Sequence, residues 1–268
     1  MDKLNHEAWS APSTLAIFEQ SEGWVDPGER LALLAVAAEV RGRPILDIGA
    51  GAGRTTSLLR LLSDDYRAID YEPAMVELFH RNHPDDLISL GDARRLDGCA
   101  SGSFGLVVFS FNGIDAVSHE DRGSVLSEMW RVVEPGGVVL FSTLNRYGPT
   151  PRDVPWRGRP GSGGRAKRFV RFSLKAPLNA GRYVRSYRNY FHNRRWRVDH
   201  GSWTIWTNPA HDFGIVVHYT TLAAQLDELR ALGFTRCEAF DSNTGARVEP
   251  TGRHEDVDWF TIIARKPA

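Results

Sequence analysis

Cysteine is scarce in this chain, which holds only Cys99 and Cys237 among its 268 residues. Two cysteines do not make a disulfide framework, so the sequence predicts free thiols in a reducing compartment. The first twenty residues lack a basic region followed by an apolar one, the pattern typical of a secretory signal. No apolar run approaches the roughly 20 residues that a membrane-spanning helix needs. We therefore expect a cytoplasmic protein with no membrane partner.

The chain also lacks net charge, because 33 basic side chains balance 33 acidic ones. The total therefore gives no reason to expect nucleic acid as a partner. The charge is unevenly distributed, however. Residues 146–200 hold fifteen Arg or Lys and only two acids, Asp153 and Asp199, so this segment has a net charge of +13. A proline- and glycine-rich stretch opens the segment, and we expect no regular structure there.

Strand-like and helix-like segments alternate along the first half of the chain, with short connections. Apolar runs such as "LVVFSF" are continuous, as expected when helices cover both faces of a sheet. Asp26 and Pro27 predict the start of the first core helix. Pro135 and Gly136 predict the end of the helix before the fifth strand, and Gly233 the end of the last helix. The pattern predicts an α/β, doubly wound, mostly parallel sheet of seven strands.

The alternation breaks near Tyr147 and returns at "TTLAAQLDELRALGF", a clear amphipathic helix. We therefore predict a core made of residues 28–146 and 216–268. Residues 1–27 are predicted to form an N-terminal lid segment. Residues 147–215 are predicted to form an inserted basic and aromatic cap.

One turn, "ILDIGAGAGRTT" at residues 45–56, carries the strongest functional signal. Its glycines occupy the first, third and fifth positions, whereas the dinucleotide fingerprint needs the first, third and sixth. The turn has no lysine, which excludes a P-loop. Asp47 precedes the first glycine by two residues, and its carboxylate would repel a pyrophosphate. The turn therefore suits a ligand with a cationic group, although an ordinary tight strand–helix turn is the alternative.

This turn resembles motif I of the class I S-adenosylmethionine-dependent methyltransferases. "MWRVVEPGGVVLFSTLN" also resembles that family's signature before the fifth strand, in which Gly136 and Gly137 are turn residues. The resemblance implies a Rossmann-like fold and S-adenosylmethionine as cofactor, with S-adenosylhomocysteine as product. It also implies transfer of a methyl group to an oxygen or nitrogen of a small-molecule acceptor, by in-line displacement.

The resemblance further implies which residues bind the cofactor. Asp70, at the end of the second strand, would accept hydrogen bonds from the ribose hydroxyls, and Asp92 from the adenine amino group. Tyr71 and Met75 would flank the adenine. The predicted set is Asp47, Gly49, Ala50, Gly51, Thr55, Asp70, Tyr71, Met75, Gly91, Asp92, Ala93, Ser110, Phe111 and Asn112.

The catalytic residues are less well defined by the sequence. Our candidates are His218, His211 and Tyr219, with His119 and Asp115 as further candidate bases, because an acceptor hydroxyl or ammonium must lose a proton. His218 and Tyr219 precede the last core helix, so we expect them at the ligand edge of the sheet. Alternatively, these histidines have structural roles and the enzyme acts by alignment alone.

Three interpretations of the basic insertion stay open. The one we favour is a cap that attracts an anionic or aromatic small molecule, lined by Tyr183, Tyr187 and Tyr190. The second is an RNA or DNA surface, because arginines interleaved with aromatics bind phosphates and stack on bases. The third is a solvated helix whose arginines pair with the acidic core or with a second subunit, so a homo-oligomer is not excluded.

The acidic cluster at residues 253–258 lacks the ligand spacing of zinc and calcium sites, so we predict no metal. The alternatives to a small-molecule methyltransferase are an RNA or protein methyltransferase and a non-catalytic cofactor-binding protein.

Overall fold

The computed structural model describes residues 2–19, 21–156 and 180–268. Ten strands are found in these residues: β1 Ile45–Ile48, β2 Tyr66–Asp70, β3 Leu87–Leu90, β4 Phe104–Phe109, β5 Val133–Leu144, β6 Val198–His200, β7 Trp203–Asn208, β8 Ile215–Thr220, β9 Thr235–Asp241 and β10 Trp259–Arg265. Seven of them form one sheet in the order β3-β2-β1-β4-β5-β10-β9. β10 is antiparallel to both of its neighbours, and the pairs among β1 to β5 are parallel. The predicted mostly parallel seven-stranded sheet is confirmed.

Eight α-helices accompany the strands within the described residues: α1 Asp2–Trp9, α2 Pro12–Glu19, α3 Pro27–Val40, α4 Thr56–Arg60, α5 Pro73–Asn82, α6 His119–Val132, α7 Ala180–Asn193 and α8 Leu222–Ala231. The predicted start of α3 is confirmed, because Asp26 caps the helix by accepting a hydrogen bond from the Glu29 amide at 2.9 Å, and Pro27 is its first residue. No helix among the described residues is long and apolar enough to cross a membrane.

Helices cover both faces of the large sheet. On one face, Leu126 and Met129 of α6 pack with Leu229 of α8. On the other face, Val36 of α3 packs with Phe79 of α5. Every residue of β4 is buried as a result, which explains why this strand reads as one continuous apolar run.

Two details of the chain differ from the sequence prediction. Pro135 and Gly136 do not separate α6 from the next strand, because β5 begins at Val133. The two residues lie in an irregularity where Phe104 pairs with Val133 but Leu106 pairs with Val138. Gly136 has a φ of +71°, so the glycine allows the strand to bulge there rather than ending the helix.

The second difference is a separate sheet of three antiparallel strands in the order β6-β7-β8. β8 pairs with β7, so this small sheet continues to Thr220, past the predicted boundary between residues 215 and 216. The division into lid, core and insertion stays a prediction, and residues 157–179 of the insertion lie outside the described residues.

Candidate active site

A cleft opens where the parallel strands β1, β2 and β4 end. The carboxyl ends of parallel strands are the usual ligand edge of an open α/β sheet. Ten of the fourteen predicted cofactor residues line the cleft: Gly49, Gly51, Asp70, Tyr71, Met75, Gly91, Asp92, Ala93, Ser110 and Phe111. Asp47, Ala50, Thr55 and Asn112 are not among the lining residues.

The glycine turn has a backbone that other residues adopt poorly. Gly49, Gly51 and Gly53 have φ values of +63°, +59° and +92°. A Cβ on Gly53 would lie 2.2 Å from the ring of His83, and one on Gly49 would lie 2.8 Å from the ring of Phe109. The turn therefore needs glycine for its conformation and for close packing beneath it.

Asp47 is fully buried beneath this turn. One carboxylate oxygen accepts hydrogen bonds from the Tyr66 hydroxyl at 2.9 Å and the Thr55 hydroxyl at 3.2 Å. The other oxygen has no hydrogen-bond partner in the described part of the chain. Burial raises the pKa of Asp47 to about 7. Ala50 donates its amide hydrogen to the Ile69 carbonyl at 3.1 Å, which ties the turn to β2.

Asp70 ends β2 at the wall of the cleft. Its carboxylate accepts hydrogen bonds from the backbone amides of Gly51 at 2.8 Å and Glu72 at 2.9 Å. Burial raises the pKa of Asp70 to about 6, although the two amides oppose the shift. A carboxylate has about four lone-pair positions, so Asp70 keeps acceptor capacity toward the cleft.

Asp92 lines the same cleft, but its carboxylate already accepts hydrogen bonds from Arg94. The Arg94 guanidinium donates to Asp92 at 2.7 Å and also reaches Asp121 at 3.1 Å. Hydrogen bonding from Arg94 holds the pKa of Asp92 below its usual range. Asp92 would therefore share its oxygens between this arginine and any ligand amino group.

The loop after β4 has an unusual conformation. Phe111 and Asn112 have φ values of +52° and +63°, in the left-handed region. The next residue, Gly113, leaves no space for a side chain, because a Cβ there would lie 2.1 Å from the ring of Phe109. Asn112 donates its amide hydrogen to the Ser142 hydroxyl at 2.7 Å, which fastens the loop to β5.

Arg54, the residue that fills the sixth position of the glycine turn, also holds this loop. It forms a buried ion pair with Glu29 at 2.8 Å and donates to the Ser110 hydroxyl at 2.9 Å. Its guanidinium also lies 5.2 Å from the centre of the Phe111 ring. The sequence showed only that Arg54 breaks the dinucleotide fingerprint, and its role in joining α3 to the β4 loop was missed.

Two short helices, α1 and α2, contribute Asn5, Trp9 and Phe18 to the cleft wall. The Asn5 amide donates to the carbonyls of Ala116 at 3.0 Å and Val216 at 2.9 Å. The sequence placed residues 1–27 near the acceptor but identified none of these three side chains. The only local signal is that Trp9 and Phe18 are aromatic residues in a segment that mixes polar and apolar side chains.

His6 and Thr14 also attach the predicted N-terminal lid to the rest of the chain. His6 pairs with Glu72 at 2.6 Å, and Glu72 lies two residues after Asp70 in the chain. The hydroxyl of Thr14 is hydrogen-bonded to Nδ1 of His211 at 2.9 Å. The lid is therefore connected both to the cofactor half of the cleft and to the insertion.

His218 and Tyr219 do not lie at the edge of the large sheet, where we expected them. Both are in β8 of the small sheet and fully buried. His218 Nε2 is 3.1 Å from Nδ1 of His119, and burial lowers the pKa of His218. Burial raises the pKa of Tyr219, whose hydroxyl accepts a hydrogen bond from Asn208 at 3.2 Å. Neither residue lines the cleft.

His211 packs against the wall of the cleft. Its ring packs edge-on against Trp9, with centroids 5.1 Å apart, and burial lowers its pKa. It reaches the cleft only through Trp9, since His211 is not itself a lining residue. The catalytic roles of His211, His218 and Tyr219 stay predictions.

Asp115 is fully buried, and three groups donate hydrogen bonds to its carboxylate. Its carboxylate accepts hydrogen bonds from the Thr143 hydroxyl at 2.8 Å and the Leu144 amide at 2.6 Å, and it is paired with Arg122. Burial raises the pKa of Asp115 to about 6. These contacts join the β4 loop to the end of β5, so we assign Asp115 a structural role.

Several arginines of the basic segment form ion pairs with acidic residues of the chain itself. Arg182 and Arg185 of α7 pair with Asp212 at 2.7 and 3.3 Å, and Arg146 and Arg197 pair with Asp199. No arginine of the described part of the insertion lines the cleft, and neither do Tyr183, Tyr187 and Tyr190.

No group of three or more His, Cys, Asp or Glu side chains that could hold a metal ion is found among the described residues. Cys99 and Cys237 are both free thiols.

Comparison with known proteins gives concordant matches. The family described as methyltransferase domain matches residues 46–141. The demethylmenaquinone methyltransferase of Beutenbergia cavernae is 39% identical over 117 residues, which are 42% of this chain and 47% of that protein. The malonyl-[acyl-carrier protein] O-methyltransferase of Serratia marcescens is 30% identical over 122 residues, 44% of each chain.

The chain thus spans about half the length of the curated relatives it matches. A solved structure covers more. The 1,6-didemethyltoxoflavin-N1-methyltransferase of Burkholderia thailandensis, solved with its substrate and S-adenosylhomocysteine, aligns with 99% of this chain and 88% of its own, with a TM-score of 0.57 and 15% identity. The family match runs from β1 into β5 and so includes the glycine turn and Asp70. This part of the chain is similar to methyltransferase domains, and the solved structure shares the fold along nearly the whole chain.

Proposed function

We propose that this protein transfers the methyl group of S-adenosylmethionine to an oxygen or nitrogen of an apolar or aromatic small molecule. The observation that carries the proposal is Asp70, a buried carboxylate at the cleft wall that is held by the amide of Gly51 in a turn only glycines can form. The ribose of the cofactor offers two hydroxyl donors to such a carboxylate.

The residues present fit this cofactor. Asp70 would hold the ribose and Asp92 the adenine amino group, with Met75 and Ala93 as apolar walls beside it. Asp47 lies beneath the turn and outside the cleft, so its ionised carboxylate would favour a cationic ligand through its charge and not by direct contact. When bound, S-adenosylmethionine supplies an electrophilic methyl group on a sulfonium.

The remaining walls of the cleft favour an acceptor with apolar surface. Trp9 and Phe18 of the lid face the same space as Phe111, Ala116 and Val117 of the β4 loop. These side chains exclude water and stack on flat molecules, but they offer no charge to an anion. The matched relatives are named for demethylmenaquinone and malonyl-[acyl-carrier protein], and the structural neighbour was solved with 1,6-didemethyltoxoflavin. These names support a small-molecule acceptor without specifying which one.

We assign catalysis mainly to alignment of the acceptor in the closed cleft. In-line displacement depends chiefly on placing the nucleophile, and well-oriented intramolecular reactions gain about 7–11 kcal/mol from such placement. The lining residues in the described part of the chain include no histidine. His211 is positioned to influence the reaction through Thr14 and Trp9, by holding the lid.

The first test is calorimetry with S-adenosylhomocysteine and, separately, with NAD. We expect binding of the former only, and preferential binding of NAD would refute the proposal. The second test is methyl transfer to a panel of phenols, hydroquinones and aromatic amines, with total RNA and a carrier-bound malonyl group as comparison substrates. Cofactor binding without turnover of any substrate would favour the non-catalytic alternative.

A further inference from the structure

Helix α7 turns its polar side toward the protein. Ser186 and Asn193 are buried, and the Asn189 and Asn193 amides donate to the carbonyls of Asp212 at 3.1 Å and Phe213 at 2.9 Å. A surface helix normally buries its apolar face. Tyr190 of α7 also packs inward, against Trp206 and Phe213, but Val184, Tyr187 and Phe191 are left exposed.

The outward side of α7 carries an apolar row beside its arginines. Val184, Tyr187 and Phe191 are 68%, 39% and 52% exposed, and their spacing places them along one side of the helix. Trp156, 52% exposed, packs against this row, with its ring centroid 6.3 Å from that of Phe191. These four residues form one exposed patch, which we call the α7 stripe. Contiguous apolar patches of this kind mark interaction sites.

Positive charge without acidic partners lies beside the α7 stripe. Within the described residues, Arg188, Arg194 and Arg195 form no ion pair, whereas Arg182 and Arg185 are paired with Asp212. The Arg194 guanidinium lies 6.0 Å from the centre of the Phe191 ring. An exposed aromatic row flanked by unpaired arginines is complementary to a surface that is both apolar and anionic.

We propose that the α7 stripe docks this protein on the surface of an anionic lipid bilayer. A helix with arginines beside aromatic and aliphatic residues lies in the headgroup region, where the apolar side chains reach the acyl boundary and the cations meet lipid phosphates. Nucleic acid fits less well. Single-stranded nucleic acid binds by stacking its bases on aromatic rings, and Val184 of the stripe has no ring. This proposal differs from the expectation, drawn from the sequence, that the protein has no membrane partner.

The stripe is also connected to the cleft. α7 packs on the turn Ala210–Phe213, and His211 of this turn contacts both Thr14 and Trp9 of the lid. An apolar acceptor would dissolve in the same bilayer that α7 contacts. This last link rests on the proposed function, whereas the docking itself does not.

The experiment is co-sedimentation of the full chain with vesicles of phosphatidylcholine alone and of phosphatidylcholine mixed with phosphatidylglycerol. We expect binding to the mixed vesicles, weakened by salt. Since each surface cation contributes about 1 kcal/mol at an anionic membrane, Arg188→Glu should lower the affinity by about tenfold or more. Phe191→Ser should lower it similarly.

Matched controls are available on other helices. Leu34→Ser alters an exposed apolar side chain of α3 and Arg81→Glu an exposed cation of α5, and neither should change vesicle binding. Thermal unfolding checks that Phe191→Ser is folded, and calorimetry with S-adenosylhomocysteine should be unaffected by it. Equal binding to both vesicle types, or equal loss in the controls, would overturn the proposal. Retention of total RNA in a gel shift without vesicle binding would assign the stripe to nucleic acid instead.

Discussion

Replacing Asp70 by Asn separates the fold from cofactor binding more cleanly than any other single change at the cleft. Burial raises the pKa of Asp70 from 3.8 to about 6, so keeping it ionised in the folded state opposes folding by about 3 kcal/mol at neutral pH. An asparagine removes that cost. It also loses one of the two backbone hydrogen bonds, from Gly51 or Glu72, which costs about 1–3 kcal/mol. We therefore expect Asp70→Asn to leave the stability nearly unchanged at pH 7.5.

Cofactor affinity should behave differently. Hydrogen bonds from the ribose hydroxyls to a charged acceptor are worth about 1.5–3 kcal/mol, so the dissociation constant of S-adenosylhomocysteine should rise about 10- to 100-fold. The stability is measured by urea unfolding and the affinity by calorimetry. Asp92→Asn is the matched control, and we expect a smaller loss because Arg94 already occupies that carboxylate.

The pH dependence gives a second readout. The folded chain binds one proton more than the unfolded chain between pH 3.8 and about 6, so the contribution of Asp70 to stability declines as the pH rises through that window and stays low above it. Cofactor affinity changes in the opposite direction with pH, because the ribose hydroxyls donate to the ionised form of Asp70. Affinity should fall about tenfold from pH 8 to pH 5 in the wild type. In Asp70→Asn this step near pH 6 should vanish, whereas a step near pH 7 would come from Asp47.

Unchanged affinity in Asp70→Asn, with unchanged stability, would refute the assignment of β2 and its carboxylate to the cofactor. A large loss of stability would instead show that the two backbone hydrogen bonds outweigh the cost of burying the charge.

Three further predictions concern the scaffold and the lid. Gly53→Ala should cost about 2 kcal/mol or more in urea unfolding, since its φ is +92° and a Cβ would meet a histidine ring, whereas Gly123→Ala, with open space inside α6, should stabilise by up to about 1 kcal/mol. Arg122→Met should cost about 3–5 kcal/mol in the same assay, because it leaves a fully buried carboxylate without its cation. Thr14→Val removes the hydrogen bond to His211 and should speed release of S-adenosylhomocysteine about fivefold in stopped-flow measurements. Unchanged release would show that the lid does not depend on this contact.

The features that the sequence predicted correctly are mostly local. The glycine turn could be recognised because three of its five consecutive residues are glycines. Glycine adopts the left-handed backbone that the turn needs, so the signal lies in the residues themselves. The cap of α3 at Asp26 is equally local. The parallel sheet followed from the alternation of strands and helices, because helical crossovers between parallel strands place the strands in one layer.

The small sheet was not predicted, since an apolar run such as "IVVHYT" can pair with several partners. The position of β8 is decided by β7, which ends at Asn208 and pairs with β8 across the connection that contains the turn Ala210–Phe213. His218 and Tyr219 are buried for that reason. The lid residues Trp9 and Phe18 were missed on similar grounds, because they reach the cleft only after α1 and α2 fold back over strands far along the chain.

The sequence by itself therefore determined the sheet, the glycine turn and the acidic residue at the end of β2, because each depends on neighbouring residues and on a period set by the backbone. Only the tertiary structure decided which side of α7 faces outward, which aromatics enclose the cleft, and which acidic residues are already paired. Those properties depend on contacts between segments that are distant in the chain. The free energy of such contacts comes from the burial and charge of both partners together.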